Sequence, residues 1–186
     1  MNFVQANYTS LLFFSLILIL ILVALLAGVY VSSLNLKKPA IKNTCFTAIG
    51  ILAWILITGI PVATGFLQAA PMPRLMIYAV TINLSALTLA LSPLGGLLAA
   101  GLSLQALVLF QAFRLPLELV LHSWFEQGTI PESMTWSGSN LDIISGVTAL
   151  VCAFLARKYR VAAWVANTVG FVLLINVVRV AILSSP

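Results

Sequence analysis

The chain has 186 residues, 62% of them hydrophobic and 7% charged, with a formal net charge of +5. Soluble domains carry about 25% charged residues, so this chain lacks the polar side chains to cover a water-exposed globule. Its solvent is lipid. The Lys and Arg residues lie mostly in short segments between apolar runs, with no basic face and no interleaved aromatic residues, which excludes a nucleic-acid partner.

Apolar runs of about 17–25 residues are expected to cross a membrane. The first is Leu11–Val31. No Lys or Arg precedes Lys37, and the run exceeds the roughly 7–15 residues of a signal-peptide core, so a retained span is expected rather than a cleaved leader. Lys37, Lys38 and Lys42 follow, then a second span over Thr44–Leu67, whose second half Gly59, Pro61 and Gly65 are expected to kink. The AAPMPR segment, Ala69–Arg74, reads as a turn into a third span, Leu75–Leu91. Ser92-Pro93 breaks it from a fourth, Leu94–Phe113.

The next segment, 114–140, departs from the pattern. In FRLPLELVLHSWFEQ, Arg114, Glu118, His122 and Glu126 recur every four residues, and they include the single histidine and two of the four acidic residues. Steps of four drift by about 40° on a helix, which places the four side chains within one arc. Pro116 removes a backbone donor and suits the first position of a new helix. The expectation is a span ending near Phe113 and a separate, short amphipathic helix from Pro116, lying outside the cytoplasm.

Ser139 or Asn140 is expected to cap the fifth span, Leu141–Ala156, with Asp142 in its first turn. At 1.5 Å per residue this span reaches only about 24 Å, short of a hydrocarbon core of about 30 Å. The basic knot Arg157–Arg160 and a sixth span, Val161–Leu183, complete the chain.

The expected fold is therefore all-α: a single membrane domain of six transmembrane helices, with a short extracytoplasmic amphipathic helix after the fourth. Alternating six spans gathers Lys37, Lys38, Lys42, Arg157, Lys158 and Arg160 on one side and all four acidic residues on the other. The positive-inside rule then places both termini outside the cytoplasm of a plasma (inner) membrane. Omitting the short fifth span would separate the two basic loops, so the charges support it.

Arg114, Glu118, His122, Asp142 and Arg179 fall at one expected depth, near the outer face, and Asn176 shares the face of Arg179. These six are the candidate ligand-binding residues, and Glu118 and His122 are the candidates for any proton transfer. One alternative places the stripe in water as an interfacial helix; another makes the arginines and carboxylates a structural ion-pair net. Well-defined chemistries mostly fail on supply. One histidine cannot supply bis-His haem ligation, no HExxH spacing offers a metal site, and a single Asp cannot form an aspartyl dyad. Cys45 and Cys152 are too few and too widely spaced for a disulfide framework or a CxxC motif. No metal and no cofactor are expected.

Three functions fit these residues. The first is a small transporter or ligand-binding membrane protein, with Glu118 and His122 carrying protons and Arg114 or Arg179 as counter-charge. The second is an intramembrane enzyme acting on a lipid or lipid-linked substrate at the outer leaflet, with His122 as general base. The third is a non-catalytic subunit whose stripe docks another membrane protein. Membrane lipid is a partner in each, joined by a small-molecule or lipid-linked ligand or by another subunit.

Overall fold

The structure is a computed structural model that describes residues 4–67 and 72–184. The protein is 82% helical, with no strand among the described residues. Eight α-helices follow in chain order: α1 Tyr8–Asn35, α2 Ala40–Ala63, α3 Met72–Leu91, α4 Pro93–Gly101, α5 Leu104–Phe110, α6 Arg114–Glu126, α7 Asp142–Ala156 and α8 Arg160–Leu183. A 3-10 turn, Gln111–Phe113, joins α5 to α6, so the helical path runs on from Leu104 to Glu126.

Five of these paths are long and apolar enough to cross a membrane: α1, α2, α3, α5 with α6, and α8. Helix α7 is apolar but shorter. The burial pattern is the reverse of a soluble protein. Large apolar side chains such as Phe46, Trp164 and Phe171 are exposed, whereas Ser32, Ser33, Thr47, Glu118, Asn140, Asp142 and Ser145 are buried. In water that arrangement would expose apolar surface and desolvate polar groups together. In lipid it is the stable one, and it fits a multi-pass membrane protein.

The chain divides into two compact units, one formed by residues up to Leu22 with Ser103 onward and the other by Val23–Leu102. In the second unit, Gly101 lies so close to α1 that a Cβ there would come within 2.4 Å of the Ser32 Cβ. Asn35 Nδ2 donates to the Gly101 carbonyl at 2.8 Å, occupying one of the acceptors that the end of α4 leaves free. Helix α2 stops at Ala63, two residues after Pro61, and Gly65 takes φ +71. Proline withdraws a donor from the last turn and glycine leaves it through the left-handed region. The expected second span therefore ends short of Leu67. Part of the expected Ala69–Arg74 turn lies outside the described residues; Met72 already opens α3.

The first unit is built around α7. Its buried face is Gly146, Ala149, Cys152, Ala153 and Ala156, and α8 opposes it with Ala162, Ala163, Ala166 and Gly170. Small side chains let two helix backbones approach where lipid supplies no hydrophobic drive. Gly146 does the same towards α6, for a Cβ there would stand 2.9 Å from the Leu115 backbone nitrogen. That approach sets Arg114 beside the first turn of α7.

The helix boundaries around the polar segment differ from those expected. The expected span Leu94–Phe113 is interrupted: α4 ends at Gly101, Leu102 is extended, and Ser103 caps α5 by accepting from the Ala106 N–H at 3.2 Å. Beyond it, α6 begins at Arg114 rather than at Pro116. Pro116 sits in the first turn of α6, where its missing N–H costs least, just after the 3-10 turn Gln111–Phe113. The stop falls at extended Leu102 and the Ser103 N-cap, and not at the proline.

Candidate functional site

Arg114, on the first turn of α6, forms an ion pair through Nη1 with Asp142 Oδ1 on the first turn of α7. The Ser145 hydroxyl, one turn on, donates to Asp142 Oδ1 at 2.6 Å, and Arg114 Nη1 lies 3.3 Å from Ser145 Oγ. Asp142 and Ser145 are both buried. A buried carboxylate needs a partner charge and further donors to offset its desolvation, and here one Arg and one Ser supply them.

Glu118 lies one turn beyond Arg114 on α6 and is only 2% exposed. Its Oε1 accepts from Asn140 Nδ2 at 2.8 Å. Its Oε2 is buried without a partner, as is Arg114 Nε. Asn140 holds several groups at once. Nδ2 also donates to the Met134 carbonyl at 3.0 Å, and Oδ1 accepts from the Asp142 N–H at 3.1 Å. The N-cap of α7 is Leu141, with no side-chain cap bond, so neither expected residue caps the helix; Asn140 instead holds the Asp142 N–H at the entry to α7 and ties that entry to Glu118. Arg114, Glu118, Asn140, Asp142 and Ser145 form one connected polar cluster.

The other candidates stand apart from that cluster. His122 stacks on Trp136, with ring centroids 4.2 Å apart, and its Nδ1 is 3.5 Å from Ser137 Oγ. Its Nε2 is 3.7 Å from Glu126 Oε1. Asn176 Nδ2 donates to the Ser139 carbonyl at 2.7 Å, and Asn176 Oδ1 accepts from Arg179 Nη2 at 3.1 Å. Among the described residues, neither His122 nor Arg179 makes an ion pair or hydrogen bond with Arg114, Glu118 or Asp142.

What joins the three groups is the loop between α6 and α7. Asn140 attaches it to Glu118, Trp136 and Ser137 to His122, and Ser139 to Asn176. Ser133 pairs with Ser184 past the end of α8, with the two hydroxyls 2.6 Å apart. A type of turn chemistry inside the loop keeps it folded: the Thr135 carbonyl accepts from the N–H groups of Gly138 and Asn140. A Cβ at Gly138 would approach the Glu132 carbonyl to 2.4 Å.

Asn140, Ser145 and Trp136 were not among the candidates for a site. Ser145 carried a signal, since it lies three residues after Asp142 on the same helical face. Asn140 could be read as a cap, but nothing in its spacing points to Glu118. Among the described residues, no three His, Cys, Asp or Glu side chains converge to hold a metal ion. A shallow apolar groove elsewhere in the unit, lined by Gln5, Ala6, Leu11, Trp124, Thr129 and Ile130, contains none of the candidate residues. Comparison with protein families, with curated proteins and with solved structures found no match to this chain.

Proposed function

We propose that this chain is a small transport or ligand-binding protein of the plasma membrane, in which Glu118 is the group that takes up a proton or a donor from the ligand. The observation that carries the reading is Glu118 itself: a carboxyl 2% exposed, with one oxygen held by Asn140 and the other without a partner. Buried polar groups are almost always satisfied, so a free carboxyl oxygen beside a fixed Arg–Asp pair is where a proton or a ligand's N–H or O–H completes the arrangement. Acidic residues retained in apolar segments mark substrate and proton paths in membrane proteins.

The topology proposed with it has six crossings, by α1, α2, α3, α5 with α6, α7 and α8. At nine residues, α4 is too short to cross. Alternation sets Lys37, Lys38, Lys42, Arg157, Lys158 and Arg160 towards the cytoplasm, and both termini and the loop after α6 outside. In this reading α6 belongs to a crossing, with its last turns at the outer surface.

The test is solute-driven proton movement in proteoliposomes carrying a pH-sensitive dye, with panels of amino acids, organic cations and organic anions. Proton movement with one solute class in the wild type, abolished in Glu118→Gln, is the expected result. Proton movement unaffected by Glu118→Gln, or none with any class, overturns it.

One observation favours a second reading, an enzyme acting on a lipid-linked ester. His122 stands between Ser137 and Glu126, at 3.5 and 3.7 Å, in the order of nucleophile, base and orienting acid. Hydrolysis of an ester probe lost in both Ser137→Ala and His122→Ala would select this reading over transport.

A further inference from the structure

Among the described residues of the first unit, Arg179 stands near the loop end of α8 with no acidic side chain paired to it, at the opposite end of that helix from the basic knot Arg157–Arg160. Helix α8 has two charged residues, Arg160 at its start and Arg179 one turn before its end. Arg179 is exposed. All four acidic side chains of the chain are described, and none pairs with it. Asp142 is taken by Arg114 and Ser145, Glu118 is held by Asn140, Glu126 lies beside His122, and Glu132 is in the loop. A charge near the end of an apolar helix is costly unless an opposite charge or water meets it. None of the four acidic side chains meets it.

Arg179 is also held in position. Its Nη2 donates to Asn176 Oδ1 at 3.1 Å, while Asn176 is itself fixed by its 2.7 Å bond to the Ser139 carbonyl. That is its one hydrogen bond among the described residues, none of which occupies the rest of the planar donor fork. A guanidinium fixed at one edge presents the other as a two-pronged receptor that matches phosphoryl oxygens.

We propose that Arg179, positioned by Asn176, is the receptor for a phosphate-type oxyanion at the loop end of α8. The inference rests on the ligand-binding reading above and names the chemistry of the ligand's anionic end. The same oxyanion chemistry is offered by a lipid phosphodiester and by free phosphate. With α8 crossing the membrane, Arg179 sits one turn, about 5 Å, inside its end, the depth of the headgroup region.

The experiment uses the full chain, delipidated in mild detergent. Dioleoyl phosphatidylglycerol occupancy is read by native mass spectrometry and inorganic phosphate binding by calorimetry, with sodium chloride at matched ionic strength as control. One saturable site is expected, weakened about tenfold or more by Arg179→Gln, and less by Arg179→Lys, which keeps the charge but not the fork. Asn176→Ala should weaken it in the same direction, with thermal stability of all three variants close to wild type. Phosphate that displaces the lipid assigns a soluble ligand; lipid binding untouched by phosphate assigns a headgroup. Binding unchanged by Arg179→Gln, or absent for both probes, overturns the proposal. So does binding that appears only when a neutral C-terminal extension is added, because the counter-charge would then have been the chain's own terminal carboxylate. Both readouts are binding, so they hold or fail independently of the proton movement that tests Glu118.

Discussion

The Asn140 side chain donates to Glu118 at 2.8 Å across 22 residues of chain, and the same side chain accepts from the backbone of Asp142. One amide thereby holds the Asp142 N–H at the entry to α7 and supplies the only hydrogen bond that the Glu118 side chain makes among the described residues. Replacing it with Ala should leave a buried carboxyl and the Asp142 N–H without their shared partner, at about 1–3 kcal/mol. Asn140→Asp should cost more than Asn140→Ala, since it exchanges the donor for a second negative group. Denaturation in mild detergent measures both; an Asn140→Ala protein as stable as wild type would mean that the bond carries no weight.

The Arg114–Asp142 pair is enclosed, with side-chain exposures of 14% and 11%. Removing one partner strands the other, so Arg114→Met and Asp142→Leu should each destabilise by about 3–5 kcal/mol. The double variant should cost clearly less than the sum, because neither charge is then left alone. Additive losses in this cycle would show that the two residues act separately.

Gly146 and Gly170 look alike in sequence and should respond differently to Ala. At Gly146 the new Cβ meets the backbone of Leu115 at 2.9 Å, which cannot yield without separating α6 from α7. At Gly170 it meets only the Gln111 side-chain oxygen, at 2.7 Å, which can rotate away. Gly146→Ala should therefore cost about 1–3 kcal/mol, and Gly170→Ala less than about 1 kcal/mol, partly offset by the better helix propensity of Ala. Equal losses at both positions would contradict the close approach of α6 to α7.

The proposed topology is tested by single cysteines at Lys38 and Arg160, made one at a time in a background with Cys45 and Cys152 replaced. An impermeant thiol reagent added outside intact cells should label neither position. Labelling of one and not the other would mean an odd number of crossings between them.

The membrane class, the all-helical fold and most helix positions were legible in the sequence because they follow from local composition. A run of apolar residues seeks lipid whatever its neighbours are, and a helix in lipid satisfies its own backbone. Arg114 and Asp142 were also visible as candidates, since rare charges in an apolar chain are conspicuous wherever they fall.

The division of those charges into groups depended on long-range packing. Gly146 brings α6 against α7, so that Arg114 meets Asp142, and the loop delivers Asn140 to Glu118. The same packing leaves His122 against Trp136, and Arg179 with Asn176 as its one partner among the described residues. A four-residue stripe on one helix specifies only a shared direction. Which members of it find partners is decided by residues on other helices, whose distance in space the spacing along the chain does not encode. The break between α4 and α5 was overlooked for a related reason: Gly101 serves close approach to Ser32, and that contact exists only in the folded chain. The sequence by itself determined the solvent, the helices and the supply of ionisable groups, because each is a property of a short segment. Only the tertiary structure decided which of the described charges are paired and which buried carboxyl oxygen has no partner among them, because pairing is a property of distances between segments.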